Sequence, residues 1–142
     1  MITVETTIQA PIEKVWEYFT APIHVTKWYH ASDDWHAPFA ENDLRAGGKF
    51  KTTMAAKDGS FSFDFEGTYQ SIKEYEQLNY ILDNGRKINI IFTKVDLGVK
   101  ITESFDPENQ NSPELQRSGW QSILNNFKLY VEAKKLNPEE WL

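Results

Sequence analysis

Apolar and polar residues alternate in "ITVETTI": Ile2, Val4 and Thr6 fall on one side, Thr3, Glu5 and Thr7 on the other. That is the period of a half-buried strand. The period then changes. In "APIEKVWEYFT", Ile12, Val15, Trp16 and Phe19 recur at helical spacing and share one face. Pro11 suits the first helical turn, where its missing N–H costs nothing. Pro22 stops this helix, and "PIHVTKW" forms a second short helical piece. "DLRAGGKFKTTM" is a turn feeding a strand, with Gly47-Gly48 placed to carry positive φ or a bulge. Four strand-like runs follow. "KDG" at Lys57–Gly59 signals a hairpin. "FSFDFEGTYQSI" puts Phe61, Phe63, Phe65, Gly67 and Tyr69 on one face. "QLNYIL" comes next, then Asn84-Gly85 as a second hairpin signal. "KINIIFTKV" groups Ile88, Ile90 and Phe92, and "VKITESF" groups Val99, Ile101, Glu103 and Phe105. The runs make an antiparallel meander with one wet face and one apolar face.

The last element is a helix predicted from Pro113 to about Lys135, with Ser112 as N-cap and an apolar stripe of Trp120, Ile123, Leu124, Phe127, Tyr130 and Val131. Lys134 and Lys135 fall in its last turn, where they favour the helix dipole. Strands in a run with segregated helices predict an α+β fold. Only the last helix is long enough to cover the apolar face, so a curved antiparallel sheet wraps around it, with two short helices after the first strand. No repeat or linker divides residues 1–142, which read as a single domain.

Composition narrows the function. Aromatic residues make up 14% of the 142, more than a small core needs, which suggests a ring-lined cavity or else a bulky core. A net charge of −6 argues against nucleic-acid binding, and no basic amphipathic run suggests a membrane surface. The absence of cysteine removes disulfides, thiol catalysis and Cys-type zinc sites. With no signal-peptide pattern and no stretch of 18 apolar residues, a cytoplasmic location is the expectation.

"APIEKVWEYFTAPIHVTKWY", "DLRAGGKF", "GTYQSI…LNYIL" and "SGWQSILNNFKLYV" occur in an order and spacing that resemble one family. The chain resembles the SRPBCC superfamily of START/Bet v 1-like helix-grip proteins. Within it, the chain is similar to single-domain bacterial homologues of the activator of the heat-shock chaperone ATPase. The resemblance implies a hydrophobic cavity between the sheet and the C-terminal helix. It also implies three classes of function: ligand binding, chaperone association, and cyclase/aromatase chemistry.

"KWYHASDDWH" (Lys27–His36) holds the densest mix of reactive side chains. His30 and His36 with Asp33 or Asp34 are the candidate metal ligands, with His24 as an optional addition, but six-residue spacing does not bring histidines together on one helix. The competing reading is a polar loop with Ser32–Asp34 turn chemistry and Trp28 anchored in the core. No nucleophile motif accompanies the histidines. No metal, cofactor or catalytic residue is therefore assigned. Glu66 and Glu103 are the acid–base candidates. Glu103 shares the parity of Ile101 and Phe105, although a glutamate at that place more often turns to solvent. The candidate ligand-binding residues are Trp28, Trp35, Phe50, Phe63, Phe65, Tyr69, Tyr80, Phe92, Trp120 and Phe127, with Trp28, Tyr29 and Trp35 as the pocket lip. Arg117, Gln121 and Asn125 are polar positions of the long helix that either reach the mouth or face solvent.

The expected ligand is a small hydrophobic or aromatic molecule, lipid or polyketide-like, held in that cavity. A chaperone-associated role through protein contacts is the alternative, and a cyclase-like enzyme the third. The expected assembly is a monomer or weak homodimer, with no nucleic-acid or membrane partner.

Overall fold

The computed structural model describes residues 1–134. The elements run β1 (Ile2–Ile8), α1 (Ile12–Thr20), α2 (Pro22–Trp28), β2 (Trp35–Asn42), β3 (Lys49–Ala56), β4 (Ser62–Lys73), β5 (Gln77–Leu82), β6 (Lys87–Val95), β7 (Gly98–Phe105) and α3 (Pro113–Ala133). The seven strands form one antiparallel sheet in the order β1-β7-β6-β5-β4-β3-β2. β2 to β7 are sequential neighbours joined by short turns. The two helices after β1 carry the chain from one sheet edge to the other, so that α2 packs on β2 while α3 packs on β1. This is the helix-grip arrangement the element order predicts.

Local signals explain most boundaries. Ser112 caps α3 by accepting from the Leu115 N–H at 3.1 Å, and Pro113 opens its first turn. Pro22 likewise opens α2. Pro11 sits one place earlier than its sequence suggests, as the extended N-cap of α1. Lys134 forms the C-cap of α3, and Lys135 lies outside the described residues.

β2 has no counterpart in the sequence reading, which treats Trp35 and His36 as loop. Two features hide it. Pro38 interrupts the run, and the register with β3 shifts between His36 and Phe39. A proline and a bulge are tolerated because β2 is an edge strand.

The core lies between the inner sheet face and the helices. Ile8, Val15, Ile88, Ile90, Ile101, Phe105, Leu124, Phe127 and Val131 are all buried. Gly67 faces this interior between Phe50 of β3 and Leu82 of β5. A Cβ there would stand 2.5 Å from the Ile81 carbonyl oxygen, so the strands approach more closely than a side chain allows. Gly67→Val is expected to lower stability by about 3 kcal/mol, the upper end for overpacking. A thermal melt checks this, and an unchanged Tm would mean that β4 moves aside without cost.

Candidate functional site

Trp28 organises the site from beneath. Its indole Nε1 donates to the Tyr18 carbonyl at 2.9 Å, and its ring packs on Phe127 at 4.6 Å and on Phe19 at 5.3 Å. Asn126 of α3 donates to the Trp28 carbonyl at 2.8 Å and so ties the end of α2 to α3. The next residue, Tyr29, is thereby turned inward, its ring 5.9 Å from Phe65 of β4.

Tyr29 and Phe65 each line two neighbouring spaces. The inner one is a chamber of about 50 Å³, walled by Phe19, Phe50, Tyr69, Leu78 and Tyr80. It has room for water or a small head group, not for a whole ligand. Tyr69 donates to Asn42 Oδ1 at 2.8 Å, and Asn42 donates in turn to the Thr20 carbonyl at 2.8 Å. The Tyr29 and Tyr80 hydroxyls have no hydrogen-bond partner among the described residues. Burial pushes the pKa of all three phenols upward, so they stay neutral.

The outer space is a groove of about 490 Å³ between the start of β4 and α3. Phe61, Phe63, Phe65, Trp120 and Ile123 form its apolar surface. The Trp120 ring stacks on Phe105, with centroids 3.9 Å apart and planes inclined by 11°. Arg86, Glu108, Gln110, Asn111 and Gln116 make the polar rim. Gln116 fixes that rim: its amide donates to the carbonyls of Glu108 and Asn111 and accepts from the Glu108 N–H.

Glu103 lies inward, although solvent was the commoner expectation for a glutamate there. It is 7% exposed. It stands in the cross-strand row Val4, Glu103, Ile90, Leu78, whose last member lines the chamber. No donor among the described residues reaches its carboxyl group. Burial alone pushes its pKa up to about 8. Burial, and after it the Glu103 carboxylate, raises the pKa of the Tyr29 phenol.

A family profile described as "Activator of Hsp90 ATPase homolog 1-like protein" matches residues 9–132. The chain belongs to this family. An AHSA1-like protein from Aeromonas hydrophila, solved by NMR, is 41% identical and has a TM-score of 0.89, with 96% of this chain and 94% of that one covered. A protein from Cytophaga hutchinsonii is 54% identical, with a TM-score of 0.81 and the same shares covered. A Nitrosomonas europaea protein at 20% identity has a TM-score of 0.79 over 95% of this chain and 96% of that one, a likeness of fold alone. No curated protein matches.

In this AHSA1-like chain the expected ring set, Trp35 apart, divides in three. Phe50, Phe65, Tyr69 and Tyr80 line the chamber, and Phe63, Phe65 and Trp120 line the groove. Trp28, Phe92 and Phe127 belong to the packed core instead. Trp28 is only 2% exposed, so it is an anchor and not a lip. Phe92 packs against Trp16 and Phe19, and Phe127 against Phe19 and Trp28. Phe63 departs from the expected interior in the other direction, being 43% exposed at the groove mouth. Trp35 packs edge-on against Phe61 and Phe63.

Tyr29 serves both spaces. Helical periodicity does not mark it, because it follows the last residue of α2 and its direction depends on the Trp28 anchor. Gln121 reaches the Glu5 carbonyl and Asn125, away from the mouth, and Arg117 is exposed. Glu66 is half-buried on the outer face of β4, where desolvation and the neighbouring Asp83 raise its pKa.

Within Lys27–His36, Lys27 and Trp28 close α2, residues 29–34 follow the loop reading, and Trp35 and His36 open β2. Ser32 donates to Asp34, and the Trp35 N–H donates to the Ser32 carbonyl. No group of three or more His, Asp or Glu side chains among the described residues is arranged to hold a metal. His30 Nε2 pairs with Asn126 Nδ2 at 3.0 Å, while its Nδ1 is enclosed without a partner. Burial and the nearby Lys57 lower the His30 pKa and keep the ring neutral.

Proposed function

We propose that the protein binds a small, mainly apolar molecule containing a ring. The body of the molecule lies in the groove, and its tip enters the chamber past Tyr29 and Phe65. The observation that carries this reading is the adjacency of the two spaces, both of which Tyr29 and Phe65 line. The groove volume falls within the range of about 300–1,000 Å³ usual for small-molecule sites. Phe61, 58% exposed, and Phe63 offer apolar rings to solvent at the entrance. An amide-resolved NMR titration with fatty acids, sterols and polycyclic aromatics tests it. Shifts are expected at Tyr29, Phe61–Phe65 and the first half of α3. Silence across the whole library would overturn the reading.

Chaperone association is the second reading. It draws on the family description and on the same exposed Phe61–Phe63 surface, which suits a protein contact as well. It predicts shifts at the entrance and none in the chamber when a chaperone is added. The inward carboxyl of Glu103 is the feature that a cyclase-like reaction would also require.

A further inference from the structure

We propose that the ligand is a carboxylate-headed amphiphile. Its carboxylate pairs with Arg86 at the groove rim, and its apolar body crosses the bare groove floor at Gly119. The inference rests on the binding reading above and names the chemical class of ligand.

The first observation is a glycine that the protein's own packing does not require. Gly119 lies inside α3, where glycine is a poorer helix former than alanine. A close approach of neighbouring backbone explains Gly67, but it does not explain Gly119. A Cβ at Gly119 would meet no atom within 4 Å. Its φ is not positive either, so no left-handed turn demands it. The position lines the groove, one residue before Trp120. The missing side chain therefore leaves the floor beside Trp120 bare, in space that an apolar ligand body can occupy.

The second observation is unused donor capacity at the rim. Arg86, in the turn between β5 and β6, is the one cationic residue among the described residues that line the groove. It is half-buried. Its Nε reaches Asn84 Oδ1 at 3.4 Å, and no carboxylate among the described residues lies within ion-pairing distance. Its two terminal nitrogens have no partner among the described residues. Glu108, the other charged residue of the rim, is already engaged. Its carboxylate accepts from the Gln110 N–H at 2.8 Å, the Asn111 N–H at 2.9 Å and Asn111 Nδ2 at 2.8 Å. The Gln116 amide is occupied by the backbone of Glu108 and Asn111. The rim thus presents a planar donor fork, which matches a carboxylate in shape and in charge.

Other heads fit less well. A cation would meet the like charge of Arg86 and find the Glu108 oxygens occupied. A neutral alcohol would leave the guanidinium uncompensated where the ligand covers it. The net charge of −6 gives an anion no long-range attraction, so the contact itself sets the preference. Arg86 lines the groove and not the chamber, so the head stays at the rim and the apolar end points toward Tyr29 and Phe65.

The test is calorimetric titration at neutral pH with naphthoate, naphthalenemethanol and naphthylmethylamine. Naphthoate is expected to bind about tenfold more tightly than the alcohol, the scale of one charge-assisted pair partly open to water. The amine is expected to bind most weakly. Arg86→Gln is expected to bring naphthoate down to the level of the alcohol, whose own affinity stays the same. Arg86→Lys keeps the charge without the fork and is expected to fall between. Gly119→Leu is expected to raise the Tm by a few degrees, through helix propensity, and to weaken naphthoate and alcohol alike by about tenfold. A merely structural glycine would give the opposite change in Tm. Alcohol or amine binding as tight as that of naphthoate would overturn the anionic head and leave the groove reading standing, as would a naphthoate preference that survives Arg86→Gln. Undiminished binding to Gly119→Leu would overturn the path across Gly119. If none of the three probes binds, the proposal falls, and the binding reading falls with it only where the NMR library is silent too. The order of the three probes on the unmodified protein decides the head even where a variant folds poorly.

Discussion

Glu103→Gln is expected to stabilise the ligand-free protein at pH 8 by on the order of 3–5 kcal/mol and to leave it unchanged at pH 4. Burial raises the Glu103 pKa from 4.5 to about 8 in the folded chain. The folded state therefore holds this proton more tightly than the unfolded one. Its contribution to stability is complete below about pH 4.5 and diminishes as pH rises toward 8. Each pH unit in that window costs about 1.4 kcal/mol. Above pH 8 the folded carboxyl ionises too, and the loss levels off. Glutamine keeps the shape and cannot ionise, so the variant lacks this decline. Urea denaturation of both proteins at pH 4, 6 and 8 checks the prediction. Parallel stability curves would mean that the carboxyl is solvated in the folded state.

Trp28→Ala is expected to cost about 3–5 kcal/mol, the range for removing a fully buried large ring. The indole fills space between α1, α2 and α3, against Phe19 and Phe127. Its loss also strands the Tyr18 carbonyl that its N–H satisfies. Tyr29, the adjoining residue, loses the anchor that directs it into the chamber. Chemical denaturation measures the cost, and the ring-current shifts of Phe65 report the movement of Tyr29. A loss below about 1 kcal/mol, the scale of surface substitutions, would return Trp28 to the pocket lip.

These two residues mark opposite limits of what a linear reading gives. Trp28 stands in a stretch rich in histidine and aspartate, where pocket-lip and core-anchor readings compete. Nothing within Lys27–His36 chooses between them. The choice is made by the Tyr18 carbonyl of the preceding helix and by Phe127 and Asn126 of the final one. Glu103 has the parity of its buried neighbours, so its inward direction is legible from alternation. General preference points the other way, because glutamate is rarely buried. Alternation prevails here because β7 is a central strand paired on both sides, with Ile2–Ile8 and Lys87–Val95. A one-residue slip would turn Val99, Ile101 and Phe105 outward together.

The strand and helix pattern, the α+β class and the cover of one sheet face by α3 were all present in the residue order. They depend on local periodicity and on Ser, Pro and Gly at element ends, interactions that span a few residues. β2 escaped because Pro38 and its bulge erase alternation, and only an edge position makes them tolerable. The site was legible in its residue types and not in its depth. Phe63 and Phe65 share a face of one strand, yet Phe63 meets solvent at the groove mouth while Phe65 reaches the chamber. Which ring is core, wall or entrance depends on how far α3 extends across the sheet and on where Trp28 fastens α2. Those are contacts between segments up to a hundred residues apart, and only the folded chain brings them together.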